Sequence, residues 1–258
     1  MGFLDKILKT KQPTPKTIIA MVVLADEASF SYHKFIDDFQ QHYQSLNNDS
    51  GDDVAAAFGV DGENVALMNI DKPIPWDDIE GTAQYAYNWP EALEDLKDHK
   101  GHVVIALTTG SNDVVKRFKI HTKLICSALR TTSSIGIYIG EQSLLIPKNS
   151  YLNLANLMSD AALPLNLWIY FGYRTINQKR STYTYGLKTF GKSEVEIIDS
   201  DKTFDELQEM LYNVAHYVVM SNVNFEDGQT FGYTTDQKLK IAYSTGRFVP
   251  DKSFKLSY

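Results

Sequence analysis

The hydrophobic pattern changes period several times along the chain. Residues 17–25 form an unbroken apolar and β-branched run, which predicts a central strand covered on both faces. Tyr32, Phe35, Ile36, Phe39, Tyr43 and Leu46 then recur at helical spacing, and the polar stretch 47–53 ends that face. Segments 54–58 and 64–70 predict a hairpin across 59–63. Pro73 and Pro75 stop it, and Pro75 opens a short helix at Trp76. Asn88 reads as the cap of a helix reaching His99, with Gly101 as its stop. A second buried strand is predicted at 103–107. A long helix follows, capped by Ser111 or Asn112 and carrying Val114, Val115, Phe118, Ile125 and Leu129.

Further on, the pattern predicts short strands at 135–139 and 144–146, a helix over 152–162 and a strand over 165–173. Paired strands follow at 182–187 and 194–198, then a helix over 203–217 and a hairpin of 230–234 with 239–243; the tail from 248 carries no clear pattern. Residues 17–109 thus have a β-α-β-β-α-β, ferredoxin-like order. The expectation is an α+β (mixed α/β) protein whose sheet is covered by helices. It comprises a single domain over 17–258 with two closely packed halves, 17–110 and 111–245. Residues 1–16 stand apart as an arm and linker: Phe3, Leu4, Ile7 and Leu8 share a helical face opposite Lys6 and Lys9, and Pro13 and Pro15 follow. Two readings stand for it, a segment docking through residues 1–11 on a membrane surface or partner, and an arm folded back on the body.

Charge narrows the function classes. The net charge is −7, from 25 basic and 32 acidic residues, which argues against nucleic acid as a partner because such binders neutralise phosphates. The acid is uneven: Asp49, Asp52, Asp53, Asp61, Glu63, Asp71, Asp77, Asp78 and Glu80 meet only Lys72. Such a stretch suits a basic protein partner, or simply solvent. The one cysteine, Cys126, precludes an intrachain disulfide, and the first residues lack the apolar core of a signal peptide, so the reading is cytoplasmic. The longest apolar run, 18–25, is far short of a membrane span.

Several constellations carry candidate chemistry. His99 and His102 have a metal-ligand spacing, with Asp77, Asp78 or Glu80 as further donors, but a helix end turning into a strand explains the same residues. The strand-to-helix turn 108–113 offers free N–H groups to an anion, although it lacks the phosphate-binding glycine patterns. Glu194 and Glu196 share one strand parity, the minimum for a carboxylate pair, and the simpler reading is a solvent-facing pair. Tyr183 and Tyr185 extend that parity. Cys126 lies among apolar neighbours and reads as buried and inert. Trp76, Trp89 and Trp168 read as core or pocket walls, while Tyr85 and Tyr87 beside the acidic stretch form a candidate binding patch.

The blocks 73–78, 89–92 and 99–104, followed by 163–168, 184–187, 190–196 and 227–232, resemble the bacterial domain-of-unknown-function family 4261 over about residues 17–245. The resemblance implies an association with toxin and competition neighbourhoods, toxin–antitoxin or secretion-system linked, and hence an immunity-like or accessory protein. It implies no catalytic residue and no cofactor. The expected function is non-enzymatic protein binding, with a basic effector toxin as a fitting partner. The binding surface would comprise Asp71, Trp76, Asp77, Asp78, Glu80, Tyr85 and Tyr87. The alternative is an enzyme, a metal-dependent hydrolase with a pocket around Trp76, Asp77, Asp78, His99 and His102, with Glu194 as a further candidate; a structure in which these residues disperse removes it.

Overall fold

The computed structural model describes residues 16–232 and 238–258. The amphipathic pattern of residues 1–11 lies outside the described residues.

Two sheets share the chain. The first has seven strands in the order β2-β3-β4-β5-β1-β6-β7, every neighbour antiparallel. They are β1 (Ile18–Leu24), β2 (Asn47–Gly51), β3 (Ala55–Val60), β4 (Glu63–Ile70), β5 (Gly101–Thr109), β6 (Ser134–Ile139) and β7 (Leu144–Pro147). The ferredoxin-like order of elements is present with one strand added: the polar stretch 47–53, expected to be a break, supplies the edge strand β2. Element order alone does not dictate pairing. β1 sits between β5 and β6, so the first sheet continues beyond residue 110 to Pro147.

Helix α1 (Tyr32–His42) and α4 (Val114–Thr131) cover one face of this sheet. The alternation of β1 shows how: Ile18, Ala20, Val22 and Leu24 enter the main core with Phe35, Phe39, Leu124 and Ile125. Asp113 caps α4 by accepting from the Lys116 N–H at 3.0 Å, so the cap lies one or two residues after the predicted Ser111 or Asn112. On the opposite face, α2 (Trp76–Ala83) and α3 (Ala92–Leu96) cover Val23 and Leu145 through Ile79, Trp89 and Leu96. α3 is shorter than predicted, beginning at Ala92 after turns rather than at an Asn88 cap.

Among the described residues that second face is only partly roofed. Two cross-strand rows run over β3, β4, β5 and β1: Ala57–Ala66–Ala106–Ile19 and Ala55–Met68–Val104–Met21, the latter continuing to Tyr138. Ile19 is 46% exposed and Met68 51% exposed, and Ala55, Ala57 and Ala66 are exposed as well. The expectation that residues 17–25 are covered on both faces is therefore corrected: one face is packed along its length, the other only from Val23 onward. An antiparallel sheet with an open face ordinarily turns polar side chains to water, and this one does not.

The second sheet has the order β11-β12-β13-β10-β9-β8. It comprises β8 (Tyr170–Ile176), β9 (Lys179–Tyr185), β10 (Val195–Ser200), β11 (Thr230–Gly232), β12 (Lys238–Thr245) and β13 (Lys252–Leu256). The tail that carried no pattern supplies β13, which runs parallel to β10 and antiparallel to β12. α5 (Lys148–Ala155) begins and ends earlier than predicted. α6 (Phe204–Met220) starts at a capping box in which Thr203 and Glu206 satisfy each other's N–H groups. Its apolar side, Leu207, Met210, Leu211, Val214 and Val218, joins the same core as the first sheet. One continuous core thus underlies both sheets.

Candidate functional site

The predicted surface lies on α2 and the turns that follow it. Pro75 supplies the helix start, and Ile79 and Thr82 face inward, which turns Asp77 and Glu80 outward by helical period; Trp76 and Asp78 lie on the flanks of the buried side and are exposed there. Asp71, in the preceding turn, is also exposed. No ion pair among the described residues engages these four carboxylates. Trp76 is 38% exposed, unlike Trp89 and Trp168, which are buried as expected. Asp78 also reaches the end of the open rows. Burial raises the Tyr138 phenol above its ordinary value, the Thr82 hydroxyl draws it back, and the charge of Asp78 raises it again.

Tyr85 and Tyr87 leave this surface and bridge to the second sheet. Both rings approach Tyr170, at 5.6 and 6.3 Å, and Tyr87 stands edge-on to Tyr173 at 5.2 Å. Tyr87 remains 47% exposed. Between them and the two sheet edges β7 and β8 lies a cleft of about 190 Å³, walled by Tyr85, Tyr87, Leu145, Ile146, Tyr170 and Gln208. Among the described residues that line it there is no histidine and no acid.

The histidines have other work. The His99 Nε2 accepts the Ile74 N–H at 2.8 Å and its Nδ1–H donates to the Leu96 carbonyl at 2.7 Å, so both ring nitrogens are engaged by backbone. His102 Nδ1 meets the Lys72 carbonyl at 2.9 Å. Burial lowers the His102 pKa, with the Lys72 carbonyl opposing and His99 assisting. Together they hold the turn 71–75 and so set where α2 begins. Among the described residues no group of three His, Cys, Asp or Glu side chains is placed to hold a metal ion.

The expectation that Glu194 and Glu196 face solvent is overturned, because the tail strand β13 and the loops beside it cover them. Glu194 accepts from the Thr184 hydroxyl at 2.7 Å and the Gly186 N–H at 2.9 Å. Glu196 accepts from Ser253 and from the Phe248 N–H at 2.7 Å, and pairs with Lys255 at 2.6 Å. Burial alone would raise its carboxyl; these donors outweigh that and hold it below the ordinary value. Glu194 thus sits just before β10 and lines a cavity with Tyr185, Lys188 and Val249 that includes none of Trp76, Asp77 and Asp78, and the enzyme pocket does not assemble around it.

The turn 108–113 also proves to be occupied from within. Its Ser111 N–H donates to Glu63 Oε1 at 2.7 Å, and Arg117 Nε donates to Glu63 Oε2 at 2.9 Å. Gly110 is required there: its φ is +154°, and a Cβ would overlap the Glu63 carboxylate. The anion held by this helix start is the chain's own. Cys126 is buried, and burial pushes its thiol up to about 11, as an inert residue requires.

Sequence reasoning missed the two open rows. Their signal was present: Ala55, Ala57, Ala66 and Met68 occupy the outward parity of two strands where polar residues belong.

Residues 183–257 match the family model described as Domain of unknown function (DUF4261). The matched stretch runs from within β9 through β13 and includes the resembling blocks 184–187, 190–196 and 227–232. It excludes the α2 surface. No curated protein and no solved structure matches the chain. No helix among the described residues is long and apolar enough to cross a membrane.

Proposed function

We propose that this is a bacterial cytoplasmic protein-binding factor, immunity-like or accessory to a toxin or competition system, that engages a basic partner without covalent chemistry. The observation that carries the reading is the outer side of α2. There Asp77, Asp78 and Glu80 face water without ion partners beside the half-exposed Trp76. Unpaired carboxylates raise the encounter rate with a cationic protein, and an exposed indole supplies an anchor once water leaves. The commitment of His99 and Glu194 to structural hydrogen bonds supports binding over hydrolysis. The cytoplasmic assignment rests on the lone cysteine, and the bacterial and immunity-like assignments rest on the family resemblance.

The test is co-purification from the source cells with wild type and an Asp77→Lys/Asp78→Lys variant. A partner retained by wild type and lost from the variant, with loss graded by salt, supports the reading. Equal retention by both proteins, or no partner with either, overturns it.

A further inference from the structure

The open rows of the first sheet are an incomplete layer. The opposite face is roofed along its length by α1 and α4, while among the described residues this face carries only α2 and α3 over the Val23 end. The rest presents the exposed Ile19 and Met68 over a floor of alanines, with Val104 half-buried between them and Met21 half-buried against the α2/α3 cluster. A contiguous apolar face of a few hundred Å² on a folded protein is often functional. Short alanine side chains let a partner's backbone come close to the sheet.

The size of the face selects its occupant. Four strands at about 4.8 Å spacing and two rows of side chains give an area roughly 20 Å by 14 Å. That is far below the about 800 Å² per partner of a stable protein–protein interface, so a second copy of this chain packed sheet to sheet is disfavoured. Its rim would also meet an identical acidic rim. One helix, about 10–12 Å across, fills the space beside α2.

The rim selects the occupant's charge. Asp52 lies at the turn before β3, Asp71 at the end of β4, and Asp78 beside Tyr138 at the far end of the longer row, all three exposed. Carboxylates therefore border the apolar rows at three points along the side facing α2.

Resting on the protein-binding reading above, we propose that this face takes one amphipathic helix of the partner, with its apolar stripe on Ile19, Met68 and the alanine floor and cationic side chains against Asp52, Asp71 and Asp78. This is recognition of a helix by a groove, the groove being formed by the sheet face and the side of α2.

The test uses the full chain and a fluorescent 18-residue Leu/Lys amphipathic peptide, with a Leu/Glu peptide of the same pattern as control, read by anisotropy. The informative variant is Ile19→Thr/Met68→Thr, which removes apolar contact without changing charge. Both side chains are about half exposed, so the fold is retained, as circular dichroism and Tm will show. The expected result is binding of the Leu/Lys peptide only, weakened at least tenfold by the Thr pair. Unchanged affinity in the Thr variant would mean a merely electrostatic association and overturns the proposal, as does binding of the Leu/Glu peptide. The two readings fail separately. If the co-purifying partner depends on Asp77 and Asp78 but is retained by the Thr variant, binding stands and the helix slot falls.

Discussion

Replacing Glu63 by Gln gives the most exacting test of the packing described above. The Glu63 carboxylate is 0% exposed and its partner Arg117 only 2% exposed. Arg117 also donates to the backbone carbonyls of Lys16 at 2.6 Å and Leu107 at 3.0 Å, so it cannot swing out to water without breaking both. In Glu63→Gln the Ser111 N–H keeps an acceptor, but the guanidinium is left as a buried charge without a counter-ion. Removing one partner of such a pair costs about 3–5 kcal/mol. For 258 residues, an unfolding entropy of about 2 cal/mol/K per residue makes each 1 kcal/mol worth roughly 2 °C, so Tm should fall by about 6–10 °C. Differential scanning calorimetry measures this directly. Glu63→Leu combined with Arg117→Met removes both charges and should recover most of the loss, because apolar replacements of a buried pair are often neutral. A fall below about 2 °C for the single variant, or a double variant no better than the single, refutes the reasoning.

Three further outcomes are expected. His121 is buried, and burial, opposed by its bond to the Ile105 carbonyl and assisted by Arg117, lowers its pKa to about 4. The unfolded chain therefore takes up the proton first as pH falls, so stability present above about pH 6.5 is lost toward pH 4, by roughly 3 kcal/mol. Urea titrations at pH 7 and 4.5 should show His121→Gln less pH-dependent than wild type, and equal dependence would exclude His121 as a source. Cys126 should resist Ellman's reagent at pH 8 in the folded protein and react fully in urea; rapid native labelling contradicts its burial. His99→Phe strands the Ile74 N–H and should cost about 1–3 kcal/mol, while a chelator leaves the wild-type Tm unchanged; a chelator-induced fall would restore the metal reading.

The elements that were legible in the sequence are those whose stability is local. The hairpin of β3 and β4 and the helix that begins at Thr203 read directly, because periodicity reports on neighbouring residues. β2 and β13 did not. Asn47–Gly51 is polar and exposed, and it is a strand only because β3 offers it hydrogen bonds. β13 is a strand because β10, 59 residues earlier by register, and β12, 7 to 15 residues earlier, leave a gap between them. Glu194 and Glu196 misled for the same reason, since the segments that bury them are distant in sequence. On α2 the helical period gives the exposure of Asp77 and Glu80, while that of Trp76 and Asp78 depends on what packs beside the helix. The open rows needed the pairing of four strands before single alanines and methionines became a continuous face.

The placement of β13 bears on how the chain is made. Residues 252–256 are the central rung of the second sheet, joining β10, β9 and β8 on one side to β12 and β11 on the other. During synthesis those two groups stay apart, each with an unsatisfied edge, until residues 252–256 emerge. A ribosome that stalls shortly before residue 252 releases a product with its first sheet formed and its second split, and two raw strand edges are ready templates for aggregation or for a degrading protease.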